Sequence, residues 1–253
     1  MLYKRPQRNI VSFITKFSAV TLVFSVGVIL LGSLFAGTYD NSTATVSETE
    51  GKGCIIVIDP GHGGEDGGAV AIDGTVEKDL NLEFSKTLDS LCGLLGIKSV
   101  LTRDTDTLLY DKYNEFEDYK GKKKVYDLKN RLRFTEEQGD EALFVGIHMN
   151  KFPSEKYSGT QVYFSPNNSN SQTLAQNLRD SIIHSLQPEN DREIKKAGSS
   201  IFLLKRLTVP AVLIECGFLS NEAETARLKS TEYKKEFSLT TAAALGEFIK
   251  ASN

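Results

Sequence analysis

Four short apolar runs, each too brief for a helix and each ended by turn residues, constrain this chain more than any other feature. They are residues 55–58 (Ile-Ile-Val-Ile), 142–148, 159–165 and 210–215. Continuous β-branched and apolar runs of that length mark strands buried on both faces. Residues 97–102 read as a further strand. Between the strands lie patterns of helical period. Residues 77–95 place Leu80, Phe84, Leu88, Leu91 and Leu95 on one face before Gly96 stops the helix. Residues 127–138 carry Leu128 and Leu132, and residues 171–186 carry Leu174, Leu178, Ile182 and Leu186; residues 234–250 close the chain as a helix. Strands alternating with helices predict an α/β fold, a single mostly parallel sheet flanked by helices, with no internal repeat and no second domain.

The N-terminal residues follow another rule. Residues 17–37 contain 21 consecutive uncharged positions, long enough at 1.5 Å per residue to cross a hydrocarbon core of roughly 30 Å. A cleaved export signal fits less well, because its apolar region would be unusually long and Ala36-Gly37-Thr38 is a poor cleavage site. Lys4, Arg5, Arg8 and Lys16 precede the run and no basic residue follows it before Lys52, which predicts a cytoplasmic N-terminus and an exported body. The expected organisation is a basic segment and transmembrane anchor at 1–37, a polar Ser/Thr-rich tether at 38–52, and a body at 53–253.

Charge and composition exclude several functions. The chain has 30 Lys+Arg against 33 Asp+Glu, and the first 37 residues hold four bases and no acid, so the remainder is acidic with a net charge of −7. An acidic body has no field for phosphate backbones, so nucleic acid is not an expected partner. Cys54, Cys92 and Cys216 are too few and too scattered for a disulfide framework or a thiolate zinc site. Trp is absent, so stacking on sugar rings falls to Tyr and Phe. The glycine-rich loop 61–74 is no phosphate cradle either, since it holds Glu65, Asp66 and Asp73 without Lys or Arg.

The candidate chemistry gathers at strand ends. Of three histidines, His62 follows the first strand in Asp59-Pro60-Gly61-His62-Gly63-Gly64, and His148 ends the second in Gly146-Ile147-His148-Met149-Asn150. Ligands in open α/β sheets bind outside the carboxyl ends of the strands, so the two imidazoles are expected at one edge. Glu77 opens the helix after the glycine-rich loop, and Glu215 ends the run Val212-Leu213-Ile214. Two His and a Glu with an open position match a catalytic zinc site, and a further carboxylate beside the metal would serve as general base and acid. His184, mid-helix beside an apolar stripe, reads as a surface residue. A nucleophilic Cys216 is disfavoured, because strand alternation points it away from Glu215.

Four separated segments resemble one family. Residues 56–69 (Ile-Val-Ile-Asp-Pro-Gly-His-Gly-Gly-Glu-Asp-Gly-Gly-Ala), Glu77, residues 146–150 and residues 210–221 (Pro-Ala-Val-Leu-Ile-Glu-Cys-Gly-Phe-Leu-Ser-Asn) are similar to the zinc-dependent N-acetylmuramoyl-L-alanine amidases of amidase family 3. The resemblance implies Zn2+ on His62, Glu77 and His148, a catalytic Glu215, and a substrate of peptidoglycan glycan strands bearing stem peptides. One departure is Gly146, where the family often has Ser. An anchor, a tether and a bare catalytic domain, with residues 152–161 and Ile214-Glu-Cys-Gly217, further resemble the germination-specific spore-cortex amidases. That resemblance implies stem-peptide removal ahead of muramic-δ-lactam formation, in the cell envelope or the space between forespore and mother-cell membranes, and a regulatory protein partner. A stem-peptide metallopeptidase and a non-catalytic wall-binding scaffold on the same fold are the alternatives; degenerate relatives would be expected to lack one of the four site residues, and this chain has all of them. Residues 110–124, with Tyr110, Tyr113, Phe116 and Tyr119 among dense charge, are expected to form a surface insertion near the same edge.

Overall fold

The structure, a computed structural model, describes residues 53–109 and 122–252. Residues 1–52, which include the predicted anchor and tether, and residues 110–121 of the predicted insertion lie outside the described residues. Among the described residues no helix is long and apolar enough to cross a membrane.

The strands are β1 (Ile55–Pro60), β2 (Ser99–Leu101), β3 (Ala142–Asn150), β4 (Gln161–Phe164), β5 (Lys195–Lys196) and β6 (Ala211–Phe218). They make one sheet in the order β2-β1-β3-β6-β4-β5. All neighbouring pairs are parallel except β4 with β6, which is antiparallel. The helices are α1 (Glu77–Leu94), α2 (Lys123–Glu136), α3 (Asn170–Leu186), α4 (Glu222–Lys229) and α5 (Thr231–Ser252). The mostly parallel α/β reading therefore holds, with differences at the margins. Lys123 and Lys124 open α2 and do not belong to an insertion. Neither α4 nor β5 was expected. The α4 helix is too short to show a period, and its start is fixed by the Asn221 side chain accepting the Glu224 N–H; β5 is two exposed lysines on an edge.

Alternation along the strands sorts side chains into two layers. Ile56, Ile58, Val145, Ile147, Val212 and Ile214 pack beneath α1, α3 and α5, where Phe84 and Phe237 meet edge to face at 5.5 Å. Val57, Phe144 and Ala211 face α2 and the apolar segment around Leu203, Leu204 and Leu207. His148 and Glu215 share parity with Phe144 and Leu213, so both point to the α2 side. The chain runs from β1 outward to β2 and then returns to the other flank of β1 as β3. Ligand crevices open at such a reversal.

Truncation at the helical layer should cost stability without touching the strand-end residues. Phe84→Ala, removing a ring that is 1% exposed, is expected to lower stability by about 3–5 kcal/mol. A urea melt should show a lower midpoint with an unchanged slope.

Candidate active site

Beyond β1 the backbone turns sharply, and His62 takes a left-handed φ of 62°, the one positive value at a non-glycine residue among those described. Such a conformation costs about 1–2 kcal/mol and persists only where surroundings enforce it. Two buried arginines supply the enforcement. Arg131 of α2, 1% exposed, donates from Nη1 to Asp59 (2.6 Å) and to the Pro60 carbonyl (2.8 Å), from Nη2 to the His62 carbonyl (2.6 Å), and from Nε to Asp127 (2.8 Å). Arg103, beyond β2, donates to the carbonyls of Pro60 and Gly61, both at 3.0 Å, and to that of Lys78 at 2.9 Å. Thr102 adds a hydroxyl to Asp59 at 2.5 Å. Burial, the largest influence on Asp59, opposes its charge, but Arg131 and Thr102 outweigh it and hold the carboxyl below its usual range.

The loop so held brings His62 to Glu77 and His148. Glu77 Oε1 lies 3.3 Å from His62 Nε2 and 3.0 Å from His148 Nδ1, and the imidazole rings stand edge to face with centroids 5.1 Å apart. Glu77 is fixed on its other sides by the backbone N–H groups of Ala69 and Met149 at 2.8 and 3.2 Å and by Asn81 at 3.3 Å. Asp66 Oδ2 lies 3.0 Å from His62 Nδ1, and Lys124 sits on the same carboxylate oxygen at 3.0 Å. Packing is close enough that glycine is required at two positions. A Cβ on Gly61 would fall 2.2 Å from the His148 ring, and one on Gly68, whose φ is 70°, would fall 2.5 Å from Glu77 Oε2.

The electrostatics divide the two carboxylates. Burial, the largest influence on Glu77, opposes its charge, yet the paired imidazoles prevail and keep it well below the usual carboxylate range. Burial also acts against a proton on His62, but Glu77 and Asp66 outweigh it and raise the imidazole above its ordinary value. Glu215 is pushed up to about 7, by burial first and by Glu77, against the pull of His148 and His62. Its Oε2 is buried with no hydrogen-bond partner. The sheet register pairs His148 with Glu215 and Glu215 with Gln161, so the carboxyl stands in one row with the imidazole. A cavity of about 250 Å³ adjoins His62, His148 and Glu215, walled by Leu128, Phe202 and Leu204.

His62, Glu77 and His148 are the one group among the described residues whose donor atoms, all within 4.8 Å of one another, could hold a metal ion. Two nitrogens and a carboxylate oxygen, converging in a glycine-lined cradle, suit a divalent cation of the zinc type. The residues fit the metal that the resemblance implies. Residues 56–247 match the family described as N-acetylmuramoyl-L-alanine amidase. The chain belongs to this amidase 3 family.

Three similar proteins match this chain over most of their own length. A germination-specific N-acetylmuramoyl-L-alanine amidase of Bacillus subtilis (strain 168) is 33% identical over 216 residues, covering 84% of this chain and 87% of that protein. Among solved structures, the CwlD amidase from Clostridioides difficile, in complex with the GerS lipoprotein, superposes with a TM-score of 0.70 at 33% identity, covering 78% of this chain and 98% of that one. The AmiC2 amidase of Nostoc punctiforme gives 0.63 at 28% identity, with 79% and 98% covered. The chain is thus an amidase acting on peptidoglycan.

The amidase brings all four expected residues to one edge and leaves the other candidates outside. Cys216 is fully buried, and burial raises its thiol well above the ordinary value, which makes it packing and not a nucleophile. His184 is exposed on α3. At Gly146, the departure from Ser, an added Cβ would first meet Phe144 at 3.4 Å and Leu213 at 3.5 Å. Arg103, Arg131, Asn81 and Asp66 were not foreseen. Asp66 lies in the recognised loop segment and Arg131 falls four residues after Asp127, but nothing in either pattern separates a buried ion pair from a solvated one.

The Asp59 pair predicts acid behaviour. A carboxyl lowered by folding contributes stability above its unfolded pKa of about 3.9, and that contribution is lost as pH falls through the lower folded value. Asp59→Asn should therefore be less stable than wild type at pH 6, with the gap closing towards pH 2 in thermal melts; a gap that widened in acid would contradict the pair.

Proposed function

We propose that this amidase is a zinc enzyme that hydrolyses the amide between the lactyl group of N-acetylmuramic acid and L-alanine, with His62, Glu77 and His148 holding the metal and Glu215 moving the proton. The observation that carries the reading is the placement of an unpartnered, proton-ready carboxyl, Glu215, in register with one member of a His-Glu-His cluster. Zinc, when bound, supplies Lewis acidity that lowers the pKa of water from ~15.7 towards ~7 and polarises a carbonyl.

This chain's own residues do the rest. Glu77, clamped by Ala69, Met149 and Asn81, is held between both imidazoles and contributes the negative charge of the cluster. Asp66, 3.0 Å from the far nitrogen of His62, places a negative charge behind that ring. The Glu215 carboxylate accepts a proton from the water whose oxygen attacks the carbonyl carbon, then returns it to the alanine nitrogen as the C–N bond breaks. A group whose pKa lies near neutrality suits both halves of that exchange.

The leader and the relatives support a wider role. The uncharged run at 17–37 behind four basic residues supports a membrane anchor with the catalytic part outside the cytoplasm. Similarity to a germination-specific amidase supports stem-peptide removal during spore-cortex maturation. The Clostridioides difficile relative, solved in complex with a lipoprotein, supports a protein partner in the envelope.

Mass spectrometry of peptidoglycan digested by the zinc-loaded chain should show free stem peptides beginning with L-alanine and intact glycan strands. Glu215→Gln should keep zinc and lose about 10²–10⁴-fold in kcat, whereas His62→Ala should lose zinc and activity together; a Glu215→Gln chain without metal would undo the division of roles. Metal retention should also fall with pH. His62 carries a raised pKa, so protons compete from above the ordinary imidazole value of about 6.5 downward. Elemental analysis after exchange against chelator should find zinc at pH 8 and none at pH 5.

A further inference from the structure

Beyond the metal cluster, the C-terminal edge of the sheet carries an aromatic arrangement that hydrolysis does not use. Phe152 lies two residues past the end of β3 and is 49% exposed. It is the one aromatic side chain in the exposed class among the described residues. Single exposed apolar residues are ordinary and need no account. What sets Phe152 apart is that it is braced.

Its ring meets Tyr157 edge to face at 4.8 Å. Tyr157 in turn stacks on Phe218 at 6.1 Å, and the Arg192 guanidinium lies 4.7 Å from the Phe218 centroid. The backbone beneath is pinned to the end of β6: the Phe152 N–H donates to Ser220 Oγ at 3.2 Å, the Leu219 N–H to the Asn150 carbonyl at 2.7 Å, and Asn221 Nδ2 to the Glu155 carbonyl at 2.9 Å. An aromatic ring held this way loses little further freedom when a ligand packs on it.

Position identifies the ligand. Phe152 is four residues beyond His148, a separation of at most about 14 Å of extended chain. Lys151 Nζ donates to the Val70 carbonyl at 2.7 Å, which ties the turn bearing exposed Val70 and Ile72 to the same segment. A rigid aromatic face with an apolar lip and flanking Lys and Ser groups suits a pyranose, which offers a face of C–H bonds and a rim of hydroxyls. The C–H bonds meet the negative face of the ring. The chain contains no Trp for this purpose.

We propose that Phe152 is a stacking platform for a sugar ring of the glycan strand, holding the carbohydrate beside the metal cluster. The location rests on the amidase reading of that cluster, but the platform is tested without catalysis. Calorimetric titration of the full chain with a soluble, peptide-free strand of alternating N-acetylglucosamine and N-acetylmuramic acid should give saturable binding. Phe152→Leu, at an exposed site and with an unaltered thermal melt, should bind about five-fold to ten-fold more weakly, and Phe152→Trp at least as tightly as wild type. Wild-type affinity in Phe152→Leu, or no binding by the wild type, would overturn the platform. Unchanged glycan binding combined with loss of a protein assembly would overturn it too, by making the ring a seat for a protein. If instead glycan binding depends on Phe152 while no L-alanyl peptide is released from intact peptidoglycan, the platform stands and the amidase reading fails.

Discussion

The buried ion pair between Arg131 and Asp59 is the interaction on which the site depends. It joins α2 to the end of β1 at a point where neither partner sees solvent, and Asp127 and Thr102 complete it. Burying such charges costs several kcal/mol per ion unless every donor and acceptor finds a partner. Here the spare donors of the guanidinium are spent on the carbonyls of Pro60 and His62, the backbone that must bend. Removing either partner would leave a charge stranded in the protein interior and release the loop at the same time. The fold and the metal cluster are coupled through one side chain.

That coupling explains how a strained residue can sit in a cluster of donors. His62 occupies a left-handed conformation that a glycine would adopt more cheaply, yet the imidazole is needed there. Glycines instead occupy the neighbouring positions where bulk is impossible, Gly61 against the His148 ring and Gly68 against Glu77. His62 is held from behind through its own carbonyl, and its Nε2 is turned to Glu77 Oε1 at 3.3 Å.

Two glutamates, reached from different elements, are driven to opposite protonation behaviour by their surroundings. Glu77 at the start of α1 is enclosed by two imidazoles and backbone N–H groups and stays anionic. Glu215 on β6 is half-buried, its Oε2 shielded from solvent and without a donor, and is raised towards neutrality. Environments that separate the pKa values of two like groups divide their roles, one as a fixed charge and the other as a proton carrier. Sheet register achieves this, since it sets Glu215 beside His148 and leaves Glu77 to arrive from the helix.

Local pattern in the sequence determined the layers and the edge. Short β-branched runs must be buried on both faces, helical stripes must cover them, and the ends of parallel strands must carry the ligands; His62, Glu77, His148 and Glu215 were legible on those grounds and by resemblance. The glycine-rich loop announced its own turn. Tertiary structure alone decided the strand order, the antiparallel entry of β4, the short α4 and β5, and above all the burial of Arg103 and Arg131. An arginine in a helical pattern reads the same whether it faces water or a carboxylate from a distant strand. Its partner Asp59 is 72 residues away in the chain, and only the packing of α2 over the sheet brings the two within 2.6 Å. Phe152 is of the same kind: its exposure and its bracing by Tyr157 and Phe218 depend on two strand ends meeting, which no local pattern encodes.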